Sequence, residues 1–114
     1  MHDVRQRLAQ TLLEIEAELR RLGWWDAQAP PAPTLASEQP FCFDTLRPEQ
    51  WLQWVLLPRM KSILEQHAPL PLQSGIFVYF EECWNSRGSE CATLLALLKR
   101  FDELIAIEAA DPRH

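Results

Sequence analysis

Residues 76–80 read Ile76-Phe77-Val78-Tyr79-Phe80, and the state assigned to these five apolar residues decides the fold class. Aromatic and β-branched side chains suit a strand, and the run is short enough to be one. A strand needs a partner, however, and no second run of this kind exists elsewhere in the chain. Left alone, its backbone N–H and C=O groups would go unpaired. As a helix from Gly75 to about Trp84, the segment presents Ile76, Phe77, Tyr79, Phe80, Cys83 and Trp84 on one broad face, with Glu81 and Glu82 turned away. Ser74 is in place to cap it. The helical reading makes the chain all-α.

Working outward, Asn85 to Ser89 form a turn, and a fourth helix follows. Its Cys91, Leu94, Leu95, Leu97, Leu98, Phe101, Leu104 and Ile105 cover about half the circumference. Asp111 to His114 read as a frayed tail. On the N-terminal side, Pro69 and Pro71 close a second helix that starts at Pro48, where a missing N–H costs nothing, with Asp44 or Thr45 as the capping side chain. This second helix, running to about His67, is apolar nearly all round, the mark of a central, buried helix. Pro58 lies inside it, removes the donor to the Trp54 carbonyl and predicts a kink.

Between Gly23 and Arg47, Pro30, Pro31, Pro33 and Pro40 argue for a long connector without a helix of its own. Either Trp24, Trp25, Leu35, Phe41 and Phe43 pin it to the bundle, or residues 27–38 move freely. The first helix is the plainest element. Val4, Leu8, Leu12, Ile15, Leu19 and Leu22 form a narrow stripe, Gly23 suits the left-handed residue that ends it, and Leu13 falls on the opposite side. The expectation is one domain over residues 1–114: a four-helix bundle with a Pro-rich connector between helices 1 and 2 and a Pro-kinked helix 2. At this length a single core suffices.

Composition excludes several chemistries. A net charge of −5 argues against a protein built to neutralise phosphates. Three cysteines at unrelated spacings, with no CxxC pair, give neither a zinc motif nor a disulfide framework. With no leader pattern and no apolar run of membrane length, the expected compartment is the cytoplasm. His2, His67 and His114 sit at ends, and no phosphate loop, nucleophile elbow or metalloprotease motif occurs, so no catalytic residue, cofactor or metal ligand is assigned. The paired carboxylates, such as Glu81 with Glu82, diverge by about 100° on a helix and read as solvated faces. Cys83 and Cys91 are expected in the core and Cys42 in an accessible loop.

The remaining anomaly lies in Gln39 to Met60, QPFCFDTLRPEQWLQWVLLPRM. Gln53 and Arg59 are polar positions on an otherwise apolar helix, so each must be hydrogen-bonded inside or open onto a concavity. One reading is structural: Arg59 pairs with Asp44, or either side chain serves the Trp54 carbonyl, and the loop is fixed to helix 2. The other is functional, with Trp51 and Trp54 lining a groove for a partner segment; the alternative is a pocket opened by the Pro58 kink and lined by Trp51, Gln53, Trp54 and Arg59, serving a small anionic ligand or an enzyme of unfamiliar type. The candidate interaction surface is Phe41, Asp44, Trp51, Gln53, Trp54 and Arg59.

The phrases QPF, FDTLRP and WLQWVLLPRM resemble the YqcC-like family of small bacterial proteins, and the resemblance extends to the first helix, the connector and LLKRFDELI of the fourth. Gln50 stands where a Glu commonly precedes the first motif tryptophan. The resemblance implies a four-helix bundle without a known activity, and that its members are commonly encoded beside a tRNA pseudouridine synthase implies a protein partner in RNA modification.

Overall fold

The computed structural model describes residues 3–71 and 73–110, and all regular structure among them is helical. The Ile76–Phe80 run is helix, as the absence of a pairing partner requires. The expected tail at residues 111–114 lies outside the described residues, as do His2 and His114.

Helix α1 (Val4–Arg21) is capped by Asp3, whose carboxylate accepts from the Arg5 N–H at 2.9 Å. Leu8, Leu12, Ile15 and Leu19 of its stripe are essentially inaccessible. The helix ends in a Schellman motif. Gly23 takes φ 77°, its N–H meets the Arg20 carbonyl, and the Trp24 N–H meets the Leu19 carbonyl at 2.9 Å.

The connector contains more structure than four prolines suggest. A single turn, α2 (Ala32–Leu35), starts after Pro31 as cap residue, with Pro33 in the first turn where it costs no hydrogen bond, and a 3-10 turn spans Pro40–Cys42. Thr45 Oγ donates to the Thr34 carbonyl at 2.7 Å and ties the two together. Trp24, Trp25 and Phe41 pack on the core as anchors, and Leu35 is half-buried, but Phe43 is 57% exposed. Phe41 and Cys42 both adopt positive φ, 57° and 47°, and this reversal turns Cys42 and Leu46 inward in place of Phe43.

Helical residues then run without interruption through α3 (Pro48–Trp51), a π-helical turn at Leu52–Leu56, and α4 (Leu57–Glu65). Neither Asp44 nor Thr45 caps this rod. Arg47 is the cap residue, and the Gln50 side chain reaches back to accept its N–H at 2.9 Å. The irregularity expected from Pro58 takes the form of the π turn just before it. The Leu57 N–H reaches back five residues to the Leu52 carbonyl, and Pro58 then falls in the first turn of α4, where its lack of a donor is tolerated. The rod is apolar on several sides because Leu52, Leu56, Leu57 and Met60 enter the core, the connector's Phe41 packs on Trp51, and Trp54 shares the lining of a concavity with the connector's Trp25.

After a second Schellman-type end, with His67 at φ 53°, the chain crosses to α5 (Ile76–Cys83) and α6 (Ala92–Ala110). Helix α6 packs against both α1 and α5, and α1 also meets α4. Its Leu94, Leu98, Phe101 and Ile105 complete the core, and Leu97 and Leu104 are buried as well, leaving no outward apolar face at those positions. The N-terminus of α5 is capped from a distance. Asp102 of α6 accepts from the Ile76 and Phe77 N–H groups at 3.1 and 2.9 Å and from the Ser74 hydroxyl. Ser74 supports the cap and does not itself bind the helix.

Candidate functional site

The rod carries three of the six candidate residues on its π turn and the residue before it, and the wider turn sends them to different sides. Gln53 is 4% exposed and fully engaged. Its Oε1 accepts the Asp26 N–H at 2.8 Å and its Nε2 donates to the Asp26 carbonyl at 2.8 Å, so one amide side chain reproduces a backbone-to-backbone pair. The connector's first residues are thereby clipped to the rod. Gln50 adds a longer contact to the Asp26 carboxylate at 3.4 Å, which a Glu at this position would repel.

On that side lies a concavity lined by Arg20, Trp25, Gln53, Trp54, Pro58 and Lys61 among others. Glu16 accepts from both Arg20 and Lys61 at 3.1 Å, joining α1 to α4, while the Arg20 guanidinium sits 4.4 Å from the Trp25 ring centre. Burial works against the Glu16 carboxylate, but the hydrogen bonds and charges of Lys61 and Arg20 together hold it below the usual carboxylate range. The neighbouring Glu18, bonded to Arg21, is likewise held low. The Trp54 indole N–H is buried without an acceptor among the described residues.

The opposite side of the rod belongs to Trp51. Phe41 stacks on Tyr79 with ring centres 4.0 Å apart and planes nearly parallel, and meets Trp51 edge-on at 4.9 Å. Burial, followed by the adjacent Cys83 thiol, pushes Tyr79 up to about 12. Arg59 lines a concavity here with Phe41 and Trp51. The expected Asp44–Arg59 pair does not form. Asp44 is exposed and accepts from Ser37 Oγ at 2.5 Å, and Arg59 is exposed, with no hydrogen bond or ion pair among the described residues. Of the two alternatives for Arg59 the second holds: it is not bonded inside but opens onto this concavity, because the helix surface at 58–59 faces outward, past the end of the connector's cover.

Thus Phe41, Trp51 and Arg59 come together, Gln53 and Trp54 share the other side, and Asp44 joins neither. Trp25, Arg20 and Lys61 escaped sequence reasoning because their convergence on Trp54 depends on how α1 meets α4. The cysteine expectations are exchanged at two positions: Cys42 is buried and Cys83 exposed. Ile76, Phe80 and Trp84, four residues apart, form the buried line of α5, and Cys83 lies beside it where no element covers it. Cys91 is buried as expected, and burial raises its thiol. No group of three or more His, Cys, Asp or Glu side chains able to hold a metal ion occurs among the described residues, and none of their helices is long and apolar enough to cross a membrane.

An all-helical bundle whose central rod bears a π turn, with an aromatic, arginine-containing concavity on either side, defines a small helical module. A family model described as tRNA pseudouridine synthase C matches residues 7–104. An uncharacterised protein of Haemophilus influenzae is 36% identical over 101 residues, covering 89% of this chain and 94% of that one. The uncharacterised protein YqcC of Escherichia coli is 36% identical over 104 residues, 91% of this chain and 95% of its own length. The chain belongs to this YqcC-like family. The solution structure of the Escherichia coli YqcC has a TM-score of 0.85 to it at 34% identity, spanning 99% of this chain and 97% of that one. A protein of Pectobacterium carotovorum named tRNA pseudouridine synthase C is 36% identical over 81 residues, which are 71% of this chain and 22% of that protein.

Proposed function

We propose that this domain is a protein-interaction module that serves a tRNA pseudouridine synthase. The observation that carries the reading is the Pectobacterium protein of that name, in which a stretch similar to this chain makes up 22% of a much longer polypeptide. Joining two units in one chain, as in the Pectobacterium protein, holds them at high effective concentration of one another. The two concavities flanking the rod offer aromatic and arginine side chains, the types enriched at interfaces, in a chain whose overall charge of −5 does not favour RNA directly. In this reading the synthase supplies the catalytic groups, and the domain supplies docking and needs no cofactor.

The test is pseudouridine formation in tRNA by a stand-alone synthase of this type, with increasing amounts of the domain. The expected result is a saturable change in rate at low tRNA concentration. A rate unaffected at every domain concentration contradicts the proposal.

A further inference from the structure

The concavity beside Arg59 has a chemistry of its own. Its volume is about 340 Å³, near the lower end of ligand sites, and its lining includes Phe41, Trp51, Leu56, Ile76 and Phe101. Leu56, Ile76 and Phe101 are at most 8% exposed, so the floor is the protein core itself. Arg59 is the charged residue of this lining. Arg20, Arg21, Arg47, Arg87 and Arg100 each meet a carboxylate of this chain; Arg5, Arg7 and Arg59 meet none among the described residues, and of these three Arg59 is the one in this lining. A guanidinium presents a planar fork of donors suited to a carboxylate, and beside an apolar floor it stays without a counter-charge until a ligand supplies one.

The surroundings narrow the ligand. One cation matches one negative charge and does not match a polyanion, whose binding rests on several Lys and Arg contacts. A nucleobase would need a free aromatic face, yet one face of Phe41 is taken by Tyr79 and its ring is also met by Trp51. What fits is an apolar body ending in a single carboxylate. The wall that carries Phe41 is also strained: two consecutive residues, neither of them glycine, hold positive φ and keep the ring over the concavity.

We infer that Phe41, Trp51 and Arg59 form a binding site for a monocarboxylate with an apolar body, supplied either by a small acid or by an acidic side chain between apolar residues of a peptide. The inference does not depend on the synthase, and its test uses none. In a proton–nitrogen correlation spectrum of the labelled protein, the Arg59 Nε–H and Trp51 Nε1–H signals report the site. Phenylacetate and a blocked Leu–Glu–Leu peptide are titrated separately, with phenylacetamide as the uncharged control. Saturable shifts of both signals are expected with at least one carboxylate; affinity falls about tenfold or more with the amide, and likewise in Arg59→Ala, where the Trp51 Nε1–H signal alone reports it. The tighter of the two probes identifies the source. Arg59 is exposed, so Arg59→Ala keeps the fold, and the unchanged remainder of its spectrum verifies this. Absence of saturable shifts with both carboxylates, equal shifts with phenylacetamide, or equal affinity in Arg59→Ala overturns the inference.

Discussion

Gln53 holds both the N–H and the C=O of Asp26 through its side-chain amide, each at 2.8 Å, and so fastens the start of the connector to the π turn of the rod. Without it two backbone groups at a half-buried position lose their partners. Gln53→Leu should therefore cost about 2–3 kcal/mol, and Gln53→Glu a comparable amount, since it keeps an acceptor for the Asp26 N–H but sets a carboxylate against the carbonyl. Trp54→Phe, one residue on, removes a donor that has no acceptor and should cost less than either. Thermal unfolding followed by circular dichroism checks the order, with the Gln53 variants lower by roughly 8–15 °C.

Asp102 caps α5 from the neighbouring helix, so its loss should be felt at a distance in sequence. Asp102→Ala is expected to destabilise by about 1–2 kcal/mol, and Ser74→Ala by less, because the hydroxyl only braces the carboxylate. Amide hydrogen exchange locates the effect: Ile76 and Phe77 should lose protection in Asp102→Ala while the α1 amides keep theirs.

Tyr79 is the one tyrosine of the chain, so tyrosinate absorbance reads it without interference. Its folded value of about 12 lies above the roughly 10 of an unfolded tyrosine. The neutral ring is the form the fold favours, so this contribution to stability is complete below pH ~10 and is lost as pH rises towards 12. The titration midpoint should fall towards ~10 in Phe41→Ala, which uncovers the ring, and in denaturant.

At the acid end the sign reverses. Glu16 and Glu18 are held below the usual carboxylate value of about 4.3, so their contribution is present above that pH and is lost as pH falls through their lowered values. Glu16→Gln removes the shared partner of Arg20 and Lys61 and should flatten the loss of stability below pH ~5. Midpoints of urea unfolding at several pH values measure this.

What is legible in the sequence rests on local rules. Ile76–Phe80 had no strand to pair with, the stripe from Val4 to Leu22 had a helical period, and Gly23 followed it where a left-handed residue was needed. What escaped depends on where elements meet. Nothing near Ser74 in sequence announces that a carboxylate 28 residues later completes the cap. Gln53 was legible as a polar residue in need of partners, but its partner, the Asp26 backbone, carries no side-chain signal. Cys42 and Phe43 exchanged places because two residues other than glycine adopt positive φ, which their identities do not reveal. Arg59 was legible as a residue either bonded inside or open onto a concavity, and a helix wheel could not choose between the two because it does not show where the connector's cover stops.

Calorimetric titration of this domain into a stand-alone tRNA pseudouridine synthase tests the central claim most directly. The account predicts saturable binding, with one domain per synthase, weakened in Trp54→Ala or Arg59→Ala variants that remain folded. Absence of binding heat, together with separate elution of the two proteins from a sizing column at the same concentrations, would contradict it.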